Sequence, residues 1–390
     1  MLRALLLNNV PAPYFGPLFE KIGAESGWLL TVCYSSDWNK DVGWGEKSQA
    51  ESPSHGVIIL DRQNPALKSW FGSSFAAAAA LLKLLLVEKP DYLICCGYTL
   101  APQTTALLWA MMTATPFAVM GDANYFNDTA VGMKRLVKTA WLRLLVSKAA
   151  ALIAVGSASR MFWESYGAGA DKIFESGLVV DNDFFATECE RRKDDVAQLR
   201  AQLGLTGKIV FLFVGRLVRR KNVDLIIRAA QMLNNDQVAV VIAGSGEERE
   251  ALEKLAGADP SLLRPLSQRI IFAGNVSPAD LPLYYALSDA FVLPASQEPW
   301  GLVINEAMAS GLAIIAHHHC GAAIDLVADD NGFALETFSV EELSEAMGTI
   351  AGDRARLGSM QSRSREKIKS WSIDAAARGI IQAVEISVKK

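Results

Sequence analysis

Two short stretches of this chain hold residue types suited to gripping a phosphate and a polyol together. The first reads Glu298-Pro299-Trp300-Gly301-Leu302-Val303-Ile304-Asn305-Glu306-Ala307-Met308-Ala309-Ser310-Gly311 and follows an apolar run ending at Leu293-Pro294. Gly301 is placed to open a helix with Glu306 about one turn inside it, so Glu298 and Glu306 flank a helix N-terminus. Such an end presents unpaired N–H groups and the positive pole of the helix dipole, which suit a phosphate. Carboxylates accept hydrogen bonds from vicinal hydroxyls. A phosphate flanked by two polyols, as in a nucleotide sugar, is the ligand this pattern invites. An ordinary amphipathic helix with a solvated Glu306 fits the same residues.

The second stretch is Gly215-Arg216-Leu217-Val218-Arg219-Arg220-Lys221-Asn222, directly after the apolar run 208–214. Gly215 permits a tight turn. Arg216 and Lys221 can meet a diphosphate as a planar fork and a point charge. Alone, this could be a solvated basic turn. Both stretches follow strand-like runs, and ligands of open α/β sheets gather at strand C-termini.

The elements that must position these residues alternate in type. Residues 4–7, 29–34, 57–60, 92–96, 117–120 and 151–155 are short apolar runs bounded by polar or turn residues. They read as parallel strands buried on both faces. Helical patterns at 74–88 and 133–148 lie between them, implying right-handed βαβ units. After residue 181 the pattern loosens into a polar stretch, 188–195. A second series then runs through 208–215, 238–243, 269–273, 290–293 and 312–316. The fold class expected is α/β, with two Rossmann-like doubly wound domains facing a central cleft. The expected boundaries are 1–182, 183–370 and a C-terminal helix at 371–390 that crosses back to the first domain.

On these residues the chain resembles the retaining GT-B glycosyltransferases of family four. The Gly-Arg-Leu…Lys-Asn turn and the two glutamates with seven residues between them carry the resemblance. Val241-Ile242-Ala243-Gly244-Ser245-Gly246 resembles the family's strand and glycine turn. Ile271-Phe272-Ala273-Gly274-Asn275-Val276 resembles its segment beside the nucleobase, and Asp181-Asn182-Asp183-Phe184-Phe185 its interdomain crossover. The likeness covers most of residues 175–390. Earlier, Asn8-Asn9-Val10-Pro11-Ala12-Pro13-Tyr14 resembles the opening loop of bacterial exopolysaccharide and surface-glycan members.

The resemblance implies a donor site of Gly215, Arg216, Lys221, Asn275, Val276, Glu298, Gly301, Leu302 and Glu306. Arg216 and Lys221 would hold the diphosphate and Glu306 the ribose. Glu298 would meet the transferred sugar, assisted by the Gly301 and Leu302 amides. Where many members carry a histidine after the first-domain strand ending at Met120, this chain has Gly121-Asp122-Ala123-Asn124, and Asp122 is the substitute candidate. Glu298, Arg216, Lys221 and Asp122 are thus the expected catalytic set. The acceptor is expected on Tyr14, Phe15, Gly16, Asp122 and Asn124. No metal or other cofactor is expected. The sequence favours a UDP donor, since no carboxylate and lysine pair follows Val276 to read a guanine edge, although Asp280 is near.

Other features point elsewhere. Asp181-Asn182-Asp183 looks like a metal-binding Asp-X-Asp, but lies in the linker with no neighbouring acidic set. His317-His318-His319-Cys320 looks like a zinc site, yet consecutive residues do not readily converge on one tetrahedral ion. No Gly-x-Gly-x-x-Gly follows either first strand, which counts against hydride transfer. A nucleotide-sugar epimerase or phosphorylase of the same fold, and a non-catalytic scaffold, are the alternatives. A phosphorylase would need a pyridoxal-binding lysine, for which the sequence offers no place.

Composition bounds the rest. The 390 residues are 51% hydrophobic and 21% charged, with a net charge of -4. That is enough apolar mass for two cores, and a balance unlike that of general nucleic-acid binders. Five scattered cysteines, Cys33, Cys95, Cys96, Cys189 and Cys320, suit a reducing cytoplasm better than a disulfide scaffold. No uncharged apolar run approaches the ~20 residues that span a bilayer. Residues 133–160 carry Lys134, Arg135, Lys138, Arg143, Lys148 and Arg160, with Leu136, Val137, Trp141, Leu144 and Leu145 interleaved. This stretch is either a packed helix with a solvated basic face or a surface for anionic lipid. The corresponding expectation is a cytoplasmic protein, peripheral on the inner face of the membrane, with a lipid-linked saccharide acceptor.

Overall fold

Residues Ile209–Val214 and Val238–Ala243 are apolar throughout, and every one of these side chains is buried. Strands buried on both faces must lie inside a layered sheet, which parallel pairing with crossover helices provides. The computed structural model describes residues 1–36, 52–62, 72–257 and 269–389. They form two units, Met1–Val179 with Ser372–Lys390, and Val180–Trp371.

The first unit is a seven-stranded parallel sheet in the order β3-β2-β1-β4-β5-β6-β7. Its strands are β1 Arg3–Asn8, β2 Leu29–Tyr34, β3 Gly56–Ile59, β4 Tyr92–Cys96, β5 Phe117–Gly121, β6 Ala151–Ala154 and β7 Ile173–Glu175. The chain reverses its direction of travel across the sheet at β1, which pairs with both β2 and β4. The helix Ile373–Val388 packs on the helix Phe15–Glu25 and on β6 and β7. It buries Ala376, Ala377, Ile380, Ala383 and Val384, the i, i+3, i+4 face of an amphipathic helix. The Ser176 hydroxyl donates to Ala376 O at 3.1 Å, and Lys21 pairs with Asp374 at 2.9 Å.

The second unit is a six-stranded parallel sheet in the order β10-β9-β8-β11-β12-β13. Here β8 is Ile209–Val214, β9 Val238–Ala243, β10 Ile270–Gly274, β11 Ala290–Leu293, β12 Ala313–His317 and β13 Gly332–Leu335. The reversal falls at β8, between β9 and β11. The anticipated strands lie within a residue of their expected ends. The short edge strands β7 and β13 have no counterpart in the sequence reading.

One expectation is corrected. The polar stretch near residue 188 is not a loose linker but two helices, Asn182–Arg191 and Lys193–Gln202. Asp181 caps the first, accepting the Phe184 N–H at 2.9 Å. Asn182 Nδ2 donates to the Ile368 and Trp371 carbonyls, both at 3.1 Å. Phe185 is buried edge-on against Tyr285. The polar residues are a solvated helix face, where Glu188 pairs with Arg191 at 2.6 Å and Arg192 at 3.3 Å. Asp181 thus caps this helix.

Candidate functional site

In the second unit most candidate residues follow β8 and β11, which are paired neighbours at the reversal. The loop after β8 is braced by the glycine turn after β9. Gly215 N–H donates to Ala243 O at 3.0 Å and Leu217 N–H to Ser245 O at 2.9 Å. Gly244, with φ 154°, runs so close to Gly215 that a Cβ there would overlap the Gly215 carbonyl. The β8 loop is also fastened to the β11 loop. Asn222, in left-handed conformation at φ 51°, donates from Nδ2 to Pro294 O at 2.9 Å. Ser296 N–H reaches Arg220 O at 2.9 Å, and Arg220 Nη1 donates to Gln297 O at 2.6 Å.

This bracing brings Lys221 and Glu298 together. The Lys221 ammonium pairs directly with Glu298 Oε2, and Arg220 Nη1 lies 3.4 Å from the same oxygen. The Lys221 and Glu298 side chains are 9% and 14% exposed. A charge so far removed from water needs a partner, and each supplies the other's. Arg216 stands exposed on the same loop.

Glu298 is held in place from the β12 side. It bridges Cys320 in parallel register, and Gly321 N–H donates to Glu298 O at 3.3 Å. The Cys320 thiol donates to Trp300 O at 2.8 Å, and the Trp300 indole donates to Asn305 Oδ1 at 3.0 Å. Gly301 then opens the helix Leu302–Ala309 at φ 98°, a conformation costly for any other residue. A Cβ at Gly301 would lie 2.7 Å from Cys320 Sγ. Glu306 sits one turn inside this helix. Burial pushes its pKa up to about 7, while the Tyr285 hydroxyl, donating to Oε2 at 2.6 Å, pulls the other way. Sequence reasoning missed Tyr285 and Arg220, whose partners are 21 and 78 residues away.

Asn275 and Val276 follow β10 on the same sheet edge, Asn275 exposed and Val276 half-buried. Asp280 accepts from the Ser277 hydroxyl at 2.7 Å and lies 3.5 Å from Arg192. In the turn after β12, the ring nitrogens of His317, His318 and His319 lie within 4.8 Å of one another. His317 Nδ1 accepts the His319 N–H at 3.1 Å, and His318 Nδ1 lies 3.1 Å from Leu335 O. The Cys320 thiol is turned to Trp300 instead.

In the first unit, Tyr14 and Phe15 pack ring to ring at 4.6 Å where β1 leads into its helix, and Gly16 follows in the first turn. Burial, with the Asp122 charge nearby, raises the Tyr14 pKa. Asp122 is exposed just after β5. Asn124 is 4% exposed and its Oδ1 accepts the Phe126 N–H at 2.8 Å, so it shapes the loop. Of the basic helix residues, Lys138 is tied to Asp128 at 2.7 Å. A loop the sequence reading did not single out, 97–100 after β4, is fixed by Gln103. Its Oε1 accepts the Thr99 and Leu100 N–H groups at 3.0 Å, and its Nε2 donates to Cys96 O at 2.6 Å.

Two parallel-sheet units of this kind constitute the GT-B fold. Anabaena HepE, solved in complex with UDP and glucose, matches with a TM-score of 0.71 at 19% identity, over 99% of this chain and 100% of that one. Residues 195–371 match the family model described as glycosyl transferases group 1. The alpha-D-kanosaminyltransferase of Streptomyces kanamyceticus is 30% identical over 186 residues, 47% of this chain and 46% of that protein. A GDP-mannose-dependent alpha-(1-6)-phosphatidylinositol monomannoside mannosyltransferase of Mycolicibacterium smegmatis is 27% identical over 204 residues, 50% of each. The chain thus spans about half the length of these curated relatives. Among the described residues, no helix is long and apolar enough to cross a membrane.

Proposed function

We propose that this chain is a retaining, metal-independent glycosyltransferase. It moves a sugar from a nucleoside-diphosphate donor, a UDP-sugar, to a lipid-linked saccharide in glycan or exopolysaccharide assembly, at the cytoplasmic membrane face. The observation that carries this reading is the Lys221–Glu298 pair beside the start of the Glu306 helix. A diphosphate at that helix start gives Lys221 a stronger anionic partner and frees Glu298 to accept sugar hydroxyls. Arg216, Lys221 and the Gly301 and Leu302 amides then stabilise the departing diphosphate as the sugar passes through an oxocarbenium-like state. Gly215, Asn275 and Val276 border the nucleotide, and Glu306 receives the ribose. A leaving phosphate oxygen takes the acceptor proton, with Asp122 at the acceptor hydroxyl and Tyr14, Phe15, Gly16 and Asn124 forming its loops.

The choice of UDP is supported by Asp280, which is engaged by Ser277 and Arg192, and by the nucleotide named for Anabaena HepE. The mannosyltransferase relative names GDP-mannose, so a panel of both donors decides the base. Lys221→Ala should lower turnover by about 10²–10³, the scale for losing one electrostatic donor. Unchanged turnover in a variant with native circular dichroism would reject the assignment.

A further inference from the structure

The helix Gly132–Lys148 carries two apolar faces. Leu142, Leu145 and Val146 are buried in the core of the first unit. Met133, Val137 and Trp141, spaced at i, i+4 and i+8, form a second face. With Tyr98 and Thr99 they line an open groove of 690 Å³. Met133 is 74% and Val137 65% exposed, and with Trp141 they make one contiguous apolar patch, which carries more meaning than singly exposed residues do. The groove is preformed. Gln103 fixes the loop that bears Tyr98 and Thr99, and the Trp141 indole donates to Tyr98 O at 3.2 Å, leaving its ring as a wall.

The rim is cationic. Lys134 lines the groove and Arg135 follows it. Neither pairs with a carboxylate among the described residues, and residues 132–148 contain no acid. The groove reaches toward the loop that bears Asp122 and Asn124, because Lys138 on its wall pairs at 2.7 Å with Asp128, four residues after Asn124. An open apolar groove with Lys134 in its lining suits an amphiphile with a negatively charged head.

We propose that this groove binds the hydrocarbon chain of a phosphate-bearing lipid, with Lys134 at the phosphate. This rests on the lipid-linked acceptor proposed above and assigns its apolar part a site. Calorimetry with hexyl, octyl and decyl phosphate, each below its micellar concentration, tests it. Affinity should rise about 4-fold per methylene, corresponding to ~0.8 kcal/mol each. Val137→Trp should abolish that dependence, and Met133→Lys serves the same purpose if the first variant does not fold. Lys134→Glu should weaken decyl phosphate at least ~10-fold while leaving decyl maltoside unchanged, as expected for loss of a charge-assisted contact. Affinity independent of chain length would overturn the proposal. So would a wild-type dimer in sedimentation that Val137→Trp dissociates, since a second copy would then be the occupant. The titrations contain no nucleotide, so their failure leaves the donor chemistry standing, and loss of UDP binding leaves the groove standing.

Discussion

Replacing Glu306 by Gln should make the protein more stable and a poorer binder of nucleotide. The folded carboxyl keeps its proton up to pH about 7, whereas an unfolded one loses it near 4.5. Between those values the folded state binds more protons, so this group's stabilising contribution, complete below pH 4.5, is lost as pH rises through 7. The loss amounts to about 3 kcal/mol, a ceiling for a side chain that keeps partial exposure. Gln preserves the shape, can still accept from Tyr285 and cannot ionise. Its Tm should match wild type near pH 4.5 and exceed it by up to about 6–12 °C at pH 8, at 2–4 °C per kcal/mol for a unit of this size. Calorimetric affinity for UDP should fall about 10-fold at pH 8, where the wild-type carboxylate would accept ribose hydroxyls most strongly. Parallel Tm curves for the two proteins across pH 4.5–8 would refute the reasoning.

Gly301→Ala combines a left-handed backbone with a Cβ against Cys320 Sγ, and should cost at least ~1 kcal/mol in urea unfolding. Asp181→Ala removes the cap of the helix Asn182–Arg191 and should cost about 1 kcal/mol, while Asp181→Asn should restore most of it. Neutralising Lys134 and Arg135 together should weaken binding to anionic vesicles about 30-fold at low salt, at ~1 kcal/mol per charge, with UDP affinity unchanged. Lys138 is left out because it holds Asp128.

The sequence showed the strands because parallel strands must be apolar on both faces, and runs such as residues 209–214 have no other ready use. It singled out Glu298, Glu306 and Lys221 as candidates because their spacing from glycine turns is local. It did not show that Lys221 meets Glu298, since that depends on β8 lying beside β11, an adjacency no local pattern encodes. Tyr285 beneath Glu306 was hidden for the same reason. The helices after Asp181 were missed because a solvated helix face and a loop have similar polar composition, and only the Asp181 cap and the buried Phe185 separate them.

The helix Ile373–Val388 has a consequence for synthesis. It completes the first unit, yet the ribosome makes it after the whole of the second. Residues 180–371 can therefore close their core while the first-made sheet still lacks its cover over β6 and β7. The unit begun first is finished last, and until then the surface awaiting Ile380 and Val384 is open to chaperones, or to the same helix of a neighbouring nascent chain.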